Sequence, residues 1–305
     1  MRVHVLHEND VWSAPLFEAL KRRGVPFESW HLAEGRFDPL AEPPHGVFYN
    51  RMSASSHTRG HRFGPELTRH ILSWLEANGR RVVNGRRAVE LEVSKLEQLA
   101  ALAAYGVPAP RTLGAVGREA TLAAARSLGK TPFILKPNRG GAGKGVQLIE
   151  DLDRLAAVLD DPETEAPLDG LWLVQDYVRP SDASITRCEF VGGQFLYAVR
   201  VDTSDGFELC PADACALPSG REKFEIVEDF DDPLVARYGR MLAAHGIEVA
   251  GLEFVRDASG QAFTYDINTN TNYNAAAEAR VGVSGMDRLA LFLGGELEKL
   301  RRAAA

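Results

Sequence analysis

Between Phe133 and Val146 the chain reads as a strand, a glycine-rich turn and a second strand: Phe133-Ile134-Leu135-Lys136-Pro137-Asn138-Arg139-Gly140-Gly141-Ala142-Gly143-Lys144-Gly145-Val146. This segment constrains the fold most, because it fails two common nucleotide-binding templates. A Walker A loop needs a glycine, four intervening residues, Gly-Lys and then Ser or Thr. Here Asn138 stands where the first glycine belongs and Gly145 where the hydroxyl belongs. The dinucleotide fingerprint fails as well, since Val146 takes the place of its last glycine and no helix clearly starts there. What remains is a hairpin whose glycines let backbone N–H groups close over phosphates, with Lys144 in the turn. A plain β-turn is the competing reading.

A second hairpin carries acids. Ala250–Arg256 and Gln261–Asn268 are strand-like runs joined by the turn sequence Asp257-Ala258-Ser259-Gly260. With Ala258 and Ser259 as the loop, Glu253 pairs opposite Thr264 and diagonal to Asp266. Side chains repeat with period two, so Thr264, Asp266 and Asn268 share a face with Glu253. Two carboxylates at that spacing repel unless a cation lies between them. An oxygen-only donor set suits magnesium, with manganese possible, carried in with nucleotide phosphates. A wet polar strand face is the ordinary alternative.

The rest of the chain supports an α/β (α+β) reading in three parts. In residues 1–88, strands at Arg2–Leu6, Pro26–Leu32 and Gly46–Asn50 alternate with helices at Ala14–Arg23 and Pro65–Asn78, predicting a small, mainly parallel sheet. Residues 89–178 open with a helix over Val89–Tyr105, then the stiff connector Val107-Pro108-Ala109-Pro110, a helix at Ala120–Leu128, the glycine turn, a helix at Leu152–Leu159 and the apolar run Leu171–Val178. Residues 179–305 turn mostly to strands, with Gly192-Gly193 as the turn between Arg187–Val191 and Gln194–Val201. At 305 residues, two or three subdomains are expected.

The formal net charge of -7 argues against a nucleic-acid surface, and 45% hydrophobic with 25% charged residues is ordinary for a soluble globular chain. No apolar run approaches the roughly 18 residues of a membrane span. The opening Met1-Arg2-Val3-His4 brings charge before a signal-peptide core could form. Cys188, Cys210 and Cys215 lack metal-ligand spacing and read as buried small residues in a reducing cytoplasm.

The order of these pieces resembles the ATP-grasp superfamily, in its glutamate-ligase-like branch, from about Val93 to Asn268. A lysine at Lys95 is followed by Leu135-Lys136-Pro137 with the glycine loop, then Leu173-Val174-Gln175-Asp176-Tyr177-Val178, then the acid, acid, Asn hairpin. The resemblance implies an ATP-grasp fold behind a small N-terminal domain. It implies that Lys95 and Lys136 contact ATP phosphates and that Gly140, Gly141, Gly143, Lys144 and Gly145 belong to a lid over them. Gln175, Asp176, Tyr177 and Val178 correspond to the adenine hinge, and Asp182 is the nearest ribose contact. Glu253, Asp266 and Asn268 match the magnesium ligands, and Arg187 and Arg200 match basic residues facing the transferred phosphoryl.

Three stretches depart from the family pattern. Ala183-Ser184-Ile185-Thr186-Arg187 replaces Lys-Asp-hydrophobic-Arg, Phe207–Asp213 replaces Arg-x-Asn with its glycine pair, and Thr269-Asn270-Thr271-Asn272-Tyr273-Asn274 replaces a Pro-Gly turn. These stretches shape the substrate half. Arg51 ends a strand, a common place for ligands in α/β domains. With Arg59, His61 and Arg62 behind it, Arg51 could clamp a substrate carboxylate, with Asn270 as a second candidate.

The function implied is ATP-dependent, ADP-forming ligation of an amino acid or peptide carboxylate to an amine, with a small molecule or peptide as the substrate partner. A kinase acting on a hydroxyl and a nucleotide-binding module without turnover are the alternatives. Homodimerisation is a family expectation, and neither nucleic acid nor membrane is an expected partner.

Overall fold

A computed structural model of the chain describes residues 1–141, 143–204 and 223–305. Strands β1 (Arg2–His7), β2 (Phe27–His31), β3 (Gly46–Asn50) and β4 (Arg81–Val83) form a parallel sheet in the order β2-β1-β3-β4. From Val3 to His7 in β1 and throughout β3 every residue is buried, as in strands covered on both faces. Helix α1 (Asp10–Arg22) starts at Asn9, whose side chain accepts from the Trp12 amide at 3.0 Å. Helix α2 (Gly64–Ala77) buries Ile71, Leu72 and Leu75 in a core shared with Phe48.

The single helix predicted over Val89–Tyr105 is two, α3 (Arg86–Glu92) and α4 (Lys95–Ala104). The break falls at Ser94, whose hydroxyl accepts from the Glu97 amide at 3.3 Å and caps α4. Asn138, at the start of the glycine turn, accepts from the Leu96 amide at 2.9 Å, so the turn and this helix end are tied together. One face of α4 packs Ala101 and Leu102 into the core that holds Leu252 and Ile267. Lys95, in its first turn, is left beside the cavity described below.

Strands β5 (Thr112–Val116), β6 (Phe133–Pro137), β7 (Gln147–Ile149) and β8 (Leu171–Asp176) form an antiparallel sheet ordered β5-β8-β6-β7. Helices α5 (Arg118–Leu128) and α6 (Leu152–Asp160) supply its core with Leu122, Leu128, Leu155 and Val158. A third, antiparallel sheet runs β11-β10-β9-β12-β13, from β9 (Ser184–Val191), β10 (Gln194–Asp202), β11 (Phe224–Val227), β12 (Val249–Arg256) and β13 (Ala262–Asn268). The mostly-strand expectation beyond Ile185 needs correction. Three helices follow or interrupt the strands: α7 (Pro233–Ala244), α8 (Ala275–Val281) and α9 (Gly285–Ala303). The last returns to the N-terminal sheet, placing Leu289, Leu293 and Leu297 in one core with Val3, Val5 and Val47. No helix among the described residues is long and apolar enough to cross a membrane. Cys188 is buried, and burial raises its thiol pKa, while Cys210, Cys215 and the Phe207–Asp213 stretch lie outside the described residues.

Two single-residue irregularities decide which side chains meet. The turn of the acid hairpin is longer than predicted, with Arg256 paired to Ala262, and Tyr265 is an extra residue on β13. Glu253 therefore lies directly opposite Asp266 and Phe254 opposite Thr264. The two shifts cancel in parity for Asp266 and Asn268 but not for Thr264. That residue turns to the other face, where its hydroxyl meets Tyr238 of α7 at 2.6 Å. In β10 an irregularity between Phe195 and Tyr197 sets Arg200 opposite Thr186 instead of Ile185. Arg200 consequently points to the face away from Arg187.

Candidate active site

A cavity of about 220 Å³ lies between the second and third sheets, with Trp12 and the Ser53–Ser55 segment of the N-terminal domain along one side. Lys95, Lys136, Arg187, Glu253, Asp266 and Asn268 all line it, as do Gly140, Gly141, Gly143, Lys144 and Gln175 to Val178. Gly145 has the positive φ of 74° that the turn requires, but its neighbours line the wall.

Glu253, Asp266 and Asn268 converge. The Asn268 amide donates to Glu253 Oε1 at 3.4 Å and to Asp266 Oδ2 at 3.5 Å. Lys95 Nζ donates to Asp266 Oδ1 at 2.5 Å, and Arg187 Nη1 to Glu253 Oε1 at 2.9 Å. Burial pushes the Glu253 carboxyl up in pKa against the pull of Arg187, with the Asp266 charge adding to the rise. Burial acts the same way on Asp266, yet Lys95, Lys136 and Arg187 together hold it below the usual carboxylate range. Gln98 of α4 fixes this strand end, its amide pairing with Ile267 O at 2.8 Å and with Ile267 N at 3.0 Å.

Lys136 is 4% exposed, and its only side-chain hydrogen bond among the described residues is to the neutral Gln175 Oε1 at 3.0 Å. Burial, then the Lys95 charge, push its pKa down to about 7. The Gln175 side chain also donates to Thr112 Oγ1 at 2.8 Å, and the residue lines the cavity. Strand β8 ends at Asp176, whose carboxylate pairs with Lys130 at 2.9 Å, and Tyr177 and Val178 line the cavity beyond the strand.

Arg187 is held on four sides. Nε donates to Glu189 Oε1 at 2.6 Å, Nη1 reaches Glu253, and Nη2 donates to Thr271 Oγ1 at 2.6 Å. The fourth constraint is β12 itself. A Cβ at Gly251 would lie 2.5 Å from Arg187 Nε, so only glycine lets the guanidinium cross there. Arg200 and Asp182, by contrast, pair with each other at 2.5 Å on the outer face, each about half exposed. The expectations that Arg200 faces a transferred phosphoryl and Asp182 a ribose are corrected by that register. Arg51 is buried, donating to Asn272 Oδ1 at 2.8 Å, while Asn270 lines the cavity. Arg59 and His61 are taken up by the buried Glu8 carboxylate, at 2.6 and 2.8 Å. Arg62 stacks over Phe63, its guanidinium carbon 5.8 Å from the ring centroid.

Sequence reasoning passed over Glu92, Glu189 and Thr271. Glu92 is buried and joins two domains, accepting from the Ala54 amide at 3.2 Å and the Thr269 amide at 2.6 Å. Glu189 lies two residues from Arg187 on the same strand face, a spacing that period two makes visible. Nothing local singles out Thr271. Among the described residues, one His/Cys/Asp/Glu group, His7 with Asp10 and His31, is compact enough for a metal ion, and it belongs to the N-terminal domain.

Two antiparallel sheets enclosing a cavity with paired lysines, a glycine turn and an acid, acid, Asn strand end define an ATP-grasp protein. Residues 93–230 match the family described as a RimK-like ATP-grasp domain, so this part of the chain is similar to the RimK-like carboxylate–amine ligase branch of the ATP-grasp superfamily. It is 26% identical over 252 residues to a probable alpha-L-glutamate ligase of Xanthomonas euvesicatoria pv. vesicatoria, covering 80% of this chain and 78% of that one. Among solved structures it is similar to a RimK domain ATP-grasp protein from Sphaerobacter thermophilus (TM-score 0.67, 20% identical, covering 96% and 99% of the two chains). It is also similar to the ATP-grasp ligase PsnB complexed with a minimal precursor, magnesium and ADP (TM-score 0.64, 20% identical, covering 97% of each chain).

Proposed function

We propose that this chain is an ADP-forming ligase that joins a small-molecule or peptide carboxylate to an amine through an acyl phosphate, in the cytoplasm. The observation that carries the reading is Lys136. A buried cation with one neutral partner is costly unless an anion joins it, and its cavity also holds Lys95, Arg187 and a converging oxygen donor set. A nucleotide triphosphate supplies that anion. Glu253, Asp266 and Asn268 fit a hard divalent ion, with the Asn268 amide turned so that its oxygen joins the two carboxylates. Bound there, magnesium or manganese would withdraw charge from phosphate oxygens.

In this reading Lys95 and Lys136 bind phosphates and the glycine-turn amides cover them. The backbone beyond Asp176 meets the adenine edge. The substrate carboxylate oxygen attacks the γ-phosphorus as the bond to the β-phosphate oxygen breaks, leaving ADP and an acyl phosphate. Arg187 is placed to stabilise charge on the transferring group. The amine nitrogen then attacks the acyl carbon, phosphate departs with the C–O electron pair, and the amine loses its proton. Positioning and charge neutralisation carry the rate, so no nucleophilic Ser or Cys is required.

The test is ADP release in the presence of candidate amino acids and peptides. ADP with phosphate and an amide product supports the ligase. AMP contradicts the acyl-phosphate route, and a stable phosphorylated product formed without amine marks a kinase instead.

Lys136 adds a pH signature. Its folded pKa of about 7 lies below the ordinary value of 10.5, so the ligand-free protein binds fewer protons than the unfolded chain between these values. Stability contributed by this group therefore rises as pH increases from about 7 towards 10.5 and is lost as pH falls through 7. A triphosphate favours the ammonium, so binding of magnesium–ATP at pH 8 is expected to take up a proton. Calorimetry in buffers of different ionisation enthalpy reads this uptake directly, and enthalpies that do not vary with buffer would contradict it.

A further inference from the structure

Arg51 lies at the C-terminal end of β3 with 2% exposure, and it is among the largest fully buried side chains of the protein. Several buried charges here have an opposite partner: Glu8 has Arg59, Arg139 has Glu66, Arg187 has Glu189 and Glu253. Arg51 has none among the described residues. Nη2 donates to the neutral amide oxygen of Asn272, and Nη1 is buried with no hydrogen-bond partner. The titratable groups that act on it are the phenols of Tyr49 and Tyr273, whose hydroxyls are themselves buried and unpartnered. A guanidinium enclosed this way costs several kcal/mol in solvation, and neutral partners recover only part of it.

Asn272 tells where the missing anion would come from. It lines the large cavity and also a smaller adjoining one of about 20 Å³, which it shares with Arg187 and Glu253. The lysines, the glycine turn and the hinge line the large cavity and not the small one. This junction is therefore on the far side of Arg187 from the hinge. A carboxylate awaiting activation belongs beside the lysines and the metal ligands. A second substrate approaching the acyl carbon belongs at the junction.

We propose that Arg51 receives a carboxylate that is not activated in the reaction, carried by the amine-bearing substrate, with the Asn272 amide holding its place until that substrate enters. The class of acceptor this selects is an amino acid or a peptide with a free carboxylate near its amine, as against a simple amine. The proposal rests on the ligase reading for its second half only. The planar fork of Arg51 suits two carboxylate oxygens, and the phenols of Tyr49 and Tyr273 are the neighbouring donors.

The first experiment needs no turnover. The protein is saturated with magnesium and a nonhydrolysable ATP analogue, and its thermal midpoint is followed against acetate or acetamide at constant ionic strength. Acetate is expected to raise the midpoint saturably and acetamide is not. Arg51→Met should abolish the acetate effect and Arg51→Lys should keep part of it. Arg51→Met removes an unpaired buried charge, so its midpoint without acetate should equal or exceed that of the native protein, which serves as the folding control. An acetate effect of equal size in Arg51→Met, or no advantage of acetate over acetamide, overturns the site.

The second experiment supplies pooled N-acetyl amino acids as the carboxylate to be activated in every arm and compares amino acids with the matching amino amides as the amine-bearing substrate, in ADP release and in the coupled amide product. A drop of roughly tenfold or more with the amides is expected from loss of a charge-assisted hydrogen-bond pair. Amides serving as well as acids would move the carboxylate off the amine-bearing substrate and overturn that assignment. If neither pool releases ADP while acetate still binds through Arg51, the ligase reading fails and the anion site stands.

Discussion

Lys136→Met is expected to lower ADP release by roughly 10²–10³-fold, the order of loss on deleting one preorganised charge-stabilising donor from an active site. The same substitution should leave the ligand-free protein as stable as the native one or more so. The two effects have one cause. Lys136 is almost fully buried, its only side-chain hydrogen bond among the described residues is to Gln175 Oε1, and Lys95 repels it within the same cavity. Exchanging such a group for a methionine of similar length removes a solvation penalty without leaving an anion unpaired. A fall in both the thermal midpoint and the activity would mean that Lys136 serves the fold. The expected divergence, activity down and stability level or up, means that it waits for a ligand. The proton uptake that accompanies ATP binding at pH 8 should disappear in the same variant.

Asp266→Asn is the second large effect, and it has the opposite sign in stability. The carboxylate balances Lys95 directly and lowers the cost of Lys136 and Arg187 nearby. Its loss leaves Lys95 and Lys136 sharing Glu253 with Arg187, which keeps Glu189 as its second partner. The ligand-free protein should melt at lower temperature, and ADP release should fall by roughly 10²–10³-fold or more, because both phosphate-facing charge and a metal-binding oxygen are affected. A magnesium titration separates these contributions. The half-saturating concentration should rise far more in Asp266→Asn than in Lys136→Met. Equal magnesium dependence in the two variants would remove Asp266 from the metal site.

The legibility of this site in the sequence follows the range of the interactions involved. The lysine of β6, the glycine turn and the acid hairpin are each written within about a dozen residues, and their order along the chain could be read directly. Residues whose place depends on a single inserted position could not. The irregularity near Leu196 turns Arg200 outward to Asp182, and without it period two would have set Arg200 opposite Ile185, on the face of Arg187. The insertion of Tyr265 is hidden in the same way, but a longer turn compensates it, so Asp266 and Asn268 keep the expected face while Thr264 does not.

Long-range contacts were the other blind spot. Glu92 acquires its partners only when Ala54 and Thr269 come together around it, and Thr271 acquires its partners only when the segment after β13 lies against β9. Ser94 between Val93 and Lys95 is a legible helix cap, yet the apolar spacing on both sides invites one continuous helix. The stripe Met286, Leu289, Ala290, Leu293 and Leu297 in α9 has helical spacing, and its packing partner lies in β1 and β3 at the other end of the chain.

Glu253, Asp266 and Asn268 are the centre of this account, and a crystal grown with manganese and ATP tests them most directly through the anomalous scattering of the ion. The expected result is a peak between the two carboxylates and the Asn268 oxygen, beside a triphosphate that has Lys136 against it. A peak at His7, Asp10 and His31, or a triphosphate bound with Lys136 left facing Gln175 alone, would contradict it.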